Sequence, residues 1–349
     1  MRIRDCINKL TAYTPGEQPA NRSAVKLNTN ENPYPPSPAV GGVLAGFNLD
    51  DLRRYPDPCF AALRKRIAEI HSTTPERVFI GNGSDEILAL ATRAFVEDSG
   101  TIGSFNPSYS LYKTLAAIRN VKFKTTELPS DFSWTEPDAS DTDLFLLTNP
   151  NAPTSVRYPD EKIATFAKKY SGVLIIDEAY ADFALKTCMP IATAEDNEST
   201  IVMRTLSKSF SLAGLRLGYC VGPEPLIQAL FKIKDSYNID ALAQHVALAA
   251  LNDLDWMKSN TKKIIKTREN FSAALRKRGW ELPDSSTNFV FARPPAANAG
   301  ELFLELKRRD IHVRYFPGER TGDRLRITIG TDGQMETLLK AIDDISSKS

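Results

Sequence analysis

Short, continuous apolar runs alternate with helical patterns through most of the chain. The two clearest runs cover residues 144–147 and 173–176, and each of them ends in polar residues. Runs of this length are typical of strands that are covered on both faces of a parallel sheet. Residues 160–170, which lie between the two runs, have helical spacing. This part of the chain therefore predicts a strand–helix–strand unit.

The same alternation predicts further elements on both sides of that unit. Helices are expected over residues 58–71, 84–95, 223–252 and 254–279, and strands over 77–80, 100–104, 200–205 and within 214–222. Helices that alternate with buried strands favour an α/β domain.

The two ends of the chain have a different character. Residues 28–38 hold too many Pro and Asn for a regular element, because proline lacks a backbone donor and restricts its neighbour. We therefore predict an extended arm through residue 38. Toward the other end, the pattern predicts strands over 288–292, 311–315 and 324–329, helices over 299–309 and at the terminus, and hence a smaller α+β domain.

Composition and charge exclude several classes of protein. The chain has 349 residues, of which 42% are hydrophobic and 25% charged, as in ordinary globular proteins. A net charge of +1 supplies no basic field for nucleic acids or membrane surfaces. No apolar run approaches the roughly 18 residues of a membrane span, and residues 1–10 lack the apolar core of a signal peptide. We expect a cytoplasmic protein that binds neither nucleic acid nor membrane.

Cysteines and histidines are few and dispersed. They are Cys6, Cys59, Cys188 and Cys220, together with His71, His245 and His312. A long chain does not need disulfides to fold, so we expect free thiols in a reducing compartment. The histidines lack the close spacing of a metal site, and we expect no metal.

Polar residues gather where the predicted strands end, and ligands of open parallel sheets collect at those ends. Residues 81–86 follow one strand and open a helix, whose backbone N–H groups and positive dipole end could hold a phosphate. An ordinary helix cap at Ser84 or Asp85 would explain the same residues.

Two further strand ends carry an acid and a lysine. Asp177 ends a strand that should be buried, where a carboxylate needs a cation or else serves as a turn residue. Lys208 follows another strand and, taken alone, would be a surface lysine. Together with residues 81–86 and Arg216, the pair fits pyridoxal 5'-phosphate. The lysine would form a Schiff base, the acid would pair with the pyridinium nitrogen, and Arg216 and the helix start would hold the phosphate.

A series of short segments occurs in a recognisable order along the chain. They are residues 26–34, 54–57, 82–86, 107–109, 149–154, 177–180, 204–210, 213–218 and 325–330. With these segments the chain resembles the fold-type I pyridoxal-phosphate aminotransferases, and among them the histidinol-phosphate aminotransferase group most closely. The resemblance implies a mostly parallel seven-stranded sheet flanked by helices, and a homodimer with active sites at the subunit interface. It also implies that residues 1–40 form an arm and part of the small domain, 41–250 the large domain and 251–349 the rest of the small domain.

The resemblance also implies a role for individual residues. Lys208 matches the Schiff-base lysine, Asp177 the pyridinium partner and Tyr180 the tyrosine that bonds to the phenolic oxygen of the ring. The other implied cofactor contacts are Tyr109 on the ring face, Gly83, Ser84, Asp85, Thr205, Ser207 and Arg216 around the phosphate, and Tyr55 from the neighbouring subunit. The implied substrate contacts are Tyr13, Asn30, Arg314 and Arg326. The last two should face one another across a hairpin, and arginines suit the recognition of anions.

One segment departs from the family pattern. Residues 152–155 are Ala-Pro-Thr-Ser, where the family often has Asn-Pro-Thr-Gly. The amide that would donate to the phenolic oxygen is therefore absent at Ala152, and Asn151 is the candidate replacement. Ser155 in place of glycine is also unusual.

The resemblance implies amino transfer between L-histidinol phosphate and 2-oxoglutarate, with formation of glutamate, in histidine biosynthesis. Two rival activities share the cofactor site: transamination of aromatic amino acids, and decarboxylation of threonine phosphate. Residues 28–33 resemble the aminotransferase more than the decarboxylase. A regulator that binds the cofactor without catalysis would carry a DNA-binding domain, for which we expect no residues to be left over.

Overall fold

The structure is a computed structural model that describes residues 2–11, 16–21, 23–295 and 298–347. The helices are α1 (Asp5–Asn8), α2 (Pro38–Gly46), α3 (Ala61–His71), α4 (Gly83–Ala94), α5 (Leu111–Arg119), α6 (Asp160–Lys169), α7 (Ala181–Ala184), α8 (Met189–Thr193), α9 (Glu224–Ile233), α10 (Ala241–Asn252), α11 (Leu254–Lys277), α12 (Ala299–Arg308) and α13 (Asp332–Ser346). The strands are β1 (Val25–Lys26), β2 (Val78–Gly81), β3 (Thr101–Asn106), β4 (Lys122–Glu127), β5 (Leu144–Thr148), β6 (Val173–Asp177), β7 (Thr200–Thr205), β8 (Gly218–Val221), β9 (Phe289–Ala292), β10 (Ile311–His312), β11 (Arg314–Tyr315) and β12 (Leu325–Thr328). Short 3-10 helices cover Leu49–Arg53, Pro75–Arg77 and Ala213–Leu215.

Seven strands form the central sheet in the order β2-β8-β7-β6-β5-β3-β4. Strands β3 to β7 run parallel to one another. Strand β8 is antiparallel to both of its neighbours, β2 and β7. The predicted α/β fold with a mostly parallel seven-stranded sheet is confirmed.

The continuous apolar run of β5 is explained by burial on both faces of this sheet. Phe145 and Leu147 pack into one apolar core, and Leu144 and Leu146 pack into a second. Because successive side chains of a strand point to opposite faces, a strand between two cores must be apolar throughout. The predicted strand–helix–strand unit is confirmed as β5, α6 and β6.

The parallel strands bring their last residues to one edge of the central sheet. These residues are Gly81, Asn106, Glu127, Thr148, Asp177 and Thr205. Gly218, the first residue of the antiparallel β8, pairs with Gly81 and Thr205 at the same edge. The edge therefore collects the polar residues that follow the apolar strands.

A second, three-stranded antiparallel sheet has the order β11-β12-β9. It shares an apolar core with α11, α12 and α13, which agrees with the predicted smaller α+β unit. The amino-terminal arm reaches this unit, because β1 pairs in parallel with β10. The predicted boundaries near residues 41 and 251 stay predictions. No helix in the described part of the chain is long and apolar enough to cross a membrane.

Three of the predicted elements need correction. The single helix expected over 223–252 is two helices, α9 and α10, because Asp240 caps a new helix by accepting from the backbone N–H of Ala243 at 2.7 Å. The strand expected over 311–315 is divided between two sheets as β10 and β11. The arm is not wholly irregular, since it contains α1 and β1.

Candidate active site

A cavity of about 800 Å³ opens at the carboxyl edge of the central sheet. The hairpin of β11 and β12 and residues 28–31 of the arm form its other walls. Most of the predicted site residues line it: Asn30, Ser84, Asp85, Tyr109, Asp177, Tyr180, Thr205, Ser207, Lys208, Arg216, Arg314 and Arg326. Residues far apart in the sequence thus meet in one space.

Lys208 reaches this cavity from the turn that follows β7. Its Nζ donates to the carbonyl oxygen of Thr29 at 3.1 Å. Burial, and then the positive charge of Arg326, lowers the pKa of Lys208 from 10.5 to about 8. A lysine with such a pKa is partly neutral near pH 7–8, and the neutral amine is the nucleophilic form.

Asp177 is the last residue of β6 and is almost fully buried. Its carboxylate accepts from Tyr112 Oη at 2.9 Å and from the backbone N–H of Ala179 at 3.1 Å. Burial raises the pKa of Asp177 from 3.8 to about 6, and these two hydrogen bonds oppose the rise. Neither donor is a cation, so a cationic group in the cavity would be stabilised by this carboxylate.

The start of α4 has the features of an anion site. The side chain of its N-cap, Asn82, makes no capping hydrogen bond. A Cβ atom on Gly83 would lie 2.7 Å from Arg216 Nη2, and one on Gly218 would lie 2.6 Å from the backbone nitrogen of Ser84. The two glycines therefore let Arg216 and β8 approach the helix start closely, so that backbone N–H groups and the guanidinium of Arg216 can together hold a phosphate.

The polar side chains around this corner are already hydrogen-bonded to one another. Arg216 Nη2 lies 3.2 Å from Asp85 Oδ2, and Tyr109 Oη donates to the other Asp85 oxygen at 3.4 Å. The Thr205 hydroxyl accepts from the backbone N–H of Ser207 at 3.1 Å. These contacts keep the side chains oriented toward the cavity.

Asn30 connects the arm to Tyr180. Its amide donates to Tyr180 Oη at 2.9 Å. Its backbone, in the left-handed region at φ 56°, is held by the Thr328 hydroxyl at 3.0 Å and the Asn288 amide at 2.9 Å. In this structure Asn30 orients Tyr180, and its predicted substrate contact stays a prediction.

Arg314 and Arg326 face one another as paired residues of the antiparallel strands β11 and β12. Both guanidiniums lie 5.2 Å from the centre of the Phe316 ring. Arg326 also donates to the carbonyl oxygen of Asn28 at 3.0 Å. The predicted adjacency across a hairpin is confirmed, and two cations meet in one cavity wall.

Asn151 does not reach the cavity wall formed by the described residues. Its Oδ1 accepts from the Thr154 hydroxyl at 2.8 Å, and its Nδ2 donates to the carbonyl oxygen of Pro107 at 3.4 Å. Ala152 lines the cavity in its place. A shift of one residue changes the direction of the side chain, so Asn151 lies behind the wall, and its predicted contact with a cofactor stays a prediction.

Two other predicted residues, Gly83 and Tyr55, also lie outside the cavity lining. Gly83 lies behind Arg216, as described above. Tyr55 is 80% exposed, and its ring stacks on that of Tyr237 with 4.3 Å between centroids. Tyr13 lies outside the described residues.

Sequence reasoning missed several residues of the site. Tyr112 and Thr148 form a chain to Asp177, since Tyr112 Oη lies 2.7 Å from Thr148 Oγ1 and donates to Asp177. Asn32 donates to the carbonyl oxygens of Lys208 and Ser209, each at 3.1 Å. Asn32 could have been found, because it lies within residues 26–34, one of the segments that carry the family resemblance. Tyr112 lies three positions after Tyr109 and outside those segments, and nothing in the local sequence pattern identified it.

The family model for aminotransferase class I and II matches residues 22–342. A protein named histidinol-phosphate aminotransferase, from Geobacter sp. strain M21, is 43% identical over 345 residues, which cover 98% of each chain.

Two solved structures show the same fold. One is histidinol-phosphate aminotransferase from Sinorhizobium meliloti in complex with pyridoxal-5'-phosphate, with a TM-score of 0.89 and 25% identity, over 100% of this chain and 98% of that one. The other is L-threonine-O-3-phosphate decarboxylase from Porphyromonas gingivalis, with a TM-score of 0.82 and 21% identity, over 92% and 99% of the two chains. The fold alone therefore does not separate amino transfer from decarboxylation.

Proposed function

Because the chain belongs to the aminotransferase class I and II family, we propose that it is a pyridoxal-phosphate-dependent histidinol-phosphate aminotransferase. L-Histidinol phosphate is the amino donor and 2-oxoglutarate the acceptor, which becomes glutamate, in a step of histidine biosynthesis. One observation carries the proposal. A half-buried lysine with a lowered pKa and a buried carboxylate share a cavity with a facing pair of arginines.

The residues present fit this cofactor. The helix start that Gly83 and Gly218 let Arg216 approach suits its phosphate, and the buried carboxylate of Asp177 suits its pyridinium nitrogen. When bound, the cofactor withdraws electrons from the bond to hydrogen at the substrate Cα, which no protein side chain can do. Lys208 would hold the cofactor and, as a neutral amine, would take the proton from that carbon and deliver it to the C4' carbon of the cofactor.

The arginine pair explains how two different substrates share one cavity. Histidinol phosphate has no α-carboxylate, but its phosphate is a dianion, and glutamate presents carboxylates. Arg314 and Arg326 offer planar forks that suit both kinds of anion. We assign the phosphate of the first substrate and a carboxylate of the second to this pair.

A half-reaction screen tests the proposed function. The purified holoenzyme is mixed in single turnovers with histidinol phosphate, histidinol, phenylalanine and threonine phosphate, and the absorbance of the bound cofactor is followed. Histidinol phosphate should react fastest, and histidinol should be a poor donor. Faster reaction with phenylalanine, or release of CO2 from threonine phosphate, would replace the proposal with the corresponding rival.

We also propose that the protein is a homodimer in which Tyr55 completes the phosphate site of the partner subunit. The support is a segment with several exposed apolar side chains: Leu44, Leu49, Leu52 and Tyr55 are between 53% and 80% exposed. Such a concentration of large apolar side chains favours a protein interface.

Hybrid dimers test this sharing of sites. Lys208→Ala and Tyr55→Phe subunits are unfolded together and refolded, which should give hybrids with one doubly altered site and one intact site. Activity above that of either parent is expected. If hybrids form without any recovery, Tyr55 acts within its own subunit or not at all.

We further propose a cytoplasmic location. All four cysteines are free thiols, and Cys188 and Cys220 are buried. Free thiols persist in reducing compartments.

A further inference from the structure

A nearly buried group of charges lies behind the cavity, between β6, β7 and α7. Its centre is Arg204, whose side chain is 14% exposed. Its Nε and Nη2 donate to Glu178 Oε2 at 3.1 and 3.0 Å, and its Nη1 donates to Asp182 Oδ1 at 2.9 Å. None of these three residues belongs to the cavity wall that the described residues form. The proposed function therefore gives them no role.

The two carboxylates connect Arg204 to the chain segments that carry the two central site residues. Glu178 directly follows Asp177 in the chain, and its side chain is 1% exposed. The second oxygen of Asp182 accepts a hydrogen bond from the hydroxyl of Ser209, which directly follows Lys208. Arg204 therefore joins the backbone segment that carries the acid to the segment that carries the amine.

We propose that Arg204 is a positioning residue that fixes Asp177 and Lys208 relative to one another across the cofactor. The inference rests on the proposed function, in which these two residues act on the same ring. The acid must meet the ring nitrogen while the amine must reach the carbon attached to the opposite side of the ring. A misplacement of about 1 Å in such a pair costs on the order of 100-fold in rate.

The geometry needs an arginine. A guanidinium presents donors in a rigid plane and can bind two carboxylates in fixed directions, whereas a lysine ammonium is a single point on a flexible stem. Burial acts to lower the pKa of Arg204, but Asp182 and Glu178 raise it above its usual value, so the guanidinium stays charged.

The strand partner of Arg204, Tyr219, bonds to His71 Nε2 at 2.9 Å. Burial, and then the charge of Arg204, lowers the pKa of His71 to about 4, so that ring stays neutral.

Loss of Arg204 alone would change two things, the position of the segments and the local charge. Arg204→Met leaves Glu178 buried without its cation, which destabilises the fold whether or not Arg204 positions the site. The double variant Arg204→Met/Glu178→Gln separates these effects. Removal of one positive and one negative charge keeps the net charge of the group unchanged, while the link to Asp182 is lost.

The experiment compares both variants and Arg204→Lys with the wild-type holoenzyme at saturating cofactor. It measures kcat, KM, thermal stability and the pH midpoint of the absorbance of bound cofactor. The control is Arg77→Met, which removes donors to the carbonyl oxygens of Ala192 and Gly222 at the opposite edge of the central sheet. This control calibrates how much rate is lost through instability alone.

We expect kcat to fall about 10- to 100-fold in Arg204→Met and in the double variant, with little change in KM. The pH midpoint should shift in both variants, and the double variant should recover stability without recovering rate. The kcat of Arg204→Lys should lie between that of these two variants and that of the wild type.

A double variant with the wild-type rate and midpoint would show that only the local charge matters, and would overturn the proposal. A rate loss no larger than that of Arg77→Met at equal stability would do the same. If the Arg204 variants do not fold, Ser209→Ala removes only the hydrogen bond between Ser209 and Asp182. A wild-type rate and pH midpoint in this variant would also overturn the proposal. A wild-type protein that binds no cofactor would instead refute the proposed function.

Discussion

The two walls of the cavity are built in different ways. The wall that carries Asp177 and Lys208 consists of the ends of parallel strands of five and six residues between two apolar cores. The wall that carries Arg314 and Arg326 is a hairpin made of strands of two and four residues. The first wall holds the Asp177 carboxylate by a buried hydrogen bond from Tyr112, and the second presents partly exposed cations to the cavity.

This difference matches the two tasks of the site. Proton transfer requires that an acid and an amine keep fixed positions, which a buried sheet edge provides. Two donor substrates of different shape require adaptable recognition, which a short hairpin at the surface of a smaller sheet can provide. Substitutions in the first wall should therefore lower kcat most, and substitutions in the second should change kcat/KM by smaller factors.

The largest effect is expected for Lys208→Ala. Loss of the general base should lower turnover by about 10,000-fold, to the limit of detection, while cofactor still binds without a covalent link. Single-turnover absorbance and equilibrium dialysis of cofactor measure the two effects. Lys186→Ala, at an exposed position, is the control and should keep the wild-type rate. Substantial turnover by Lys208→Ala would remove this residue from the proposed chemistry.

Asp177→Asn should lower kcat roughly 100- to 1000-fold, because a neutral amide cannot stabilise the ring cation. Its loss of cofactor affinity should be smaller. A near-normal rate in this variant would show that the carboxylate has no catalytic role.

Asp177 should also make the cofactor-free protein less stable as pH rises. Its pKa is raised from 3.8 to about 6, so between these values the folded state binds a proton that the unfolded state has lost. The free energy of unfolding should then fall as pH rises from 4 to 6, by on the order of 1–3 kcal/mol. Urea unfolding at several pH values measures this slope. Asp177→Asn should flatten it, and an unchanged slope would assign the proton to another group.

In the second wall, Arg326→Ala should lower kcat/KM about 10- to 100-fold in both half-reactions, since one charge-assisted contact is lost. The matched control is Arg324→Ala, because Arg324 is a nearby arginine with a 13% exposed side chain that lies outside the cavity lining. A loss confined to one half-reaction would show that the two substrates do not share the arginine pair.

The smallest effect is expected at Ser155, behind the cavity wall. Its φ of 68° lies in the left-handed region, and its buried hydroxyl has no hydrogen-bond partner in the described part of the chain. Ser155→Gly should raise the free energy of unfolding by at most about 1 kcal/mol, because backbone strain and an unsatisfied hydroxyl are removed. Ser72→Gly, at an exposed residue with φ 52°, isolates the backbone contribution. If Ser155→Gly is less stable than the wild type, serine does not cost stability at this position, and the explanation is wrong.

The first wall could be predicted largely from the sequence. The strand at 200–205 was predicted at its observed bounds, and Asp177 and Lys208 were identified because they follow buried apolar runs. Contacts between strands are harder to predict, because they depend on partners distant in the chain. Residues 311–315 were predicted as one strand, yet β10 pairs with the arm and β11 with β12.

Supporting residues of the site were the least predictable part. The roles of Tyr112 and Arg204 depend on which carboxylate each one meets, and local pattern does not specify that. Arg204 did leave one signal, since it is the one charged residue of strand β7 and directly follows three apolar residues. A buried charge of this kind indicates a partner but not its identity.

The most direct test of the account is the identity of the lysine that carries the cofactor. The holoenzyme is reduced with borohydride, digested, and mapped by mass spectrometry for the peptide that bears the cofactor mass. We expect this mass at Lys208, and we expect it to be absent from digests of Lys208→Ala. Modification of a different lysine, or no modification of a catalytically active protein, would contradict it.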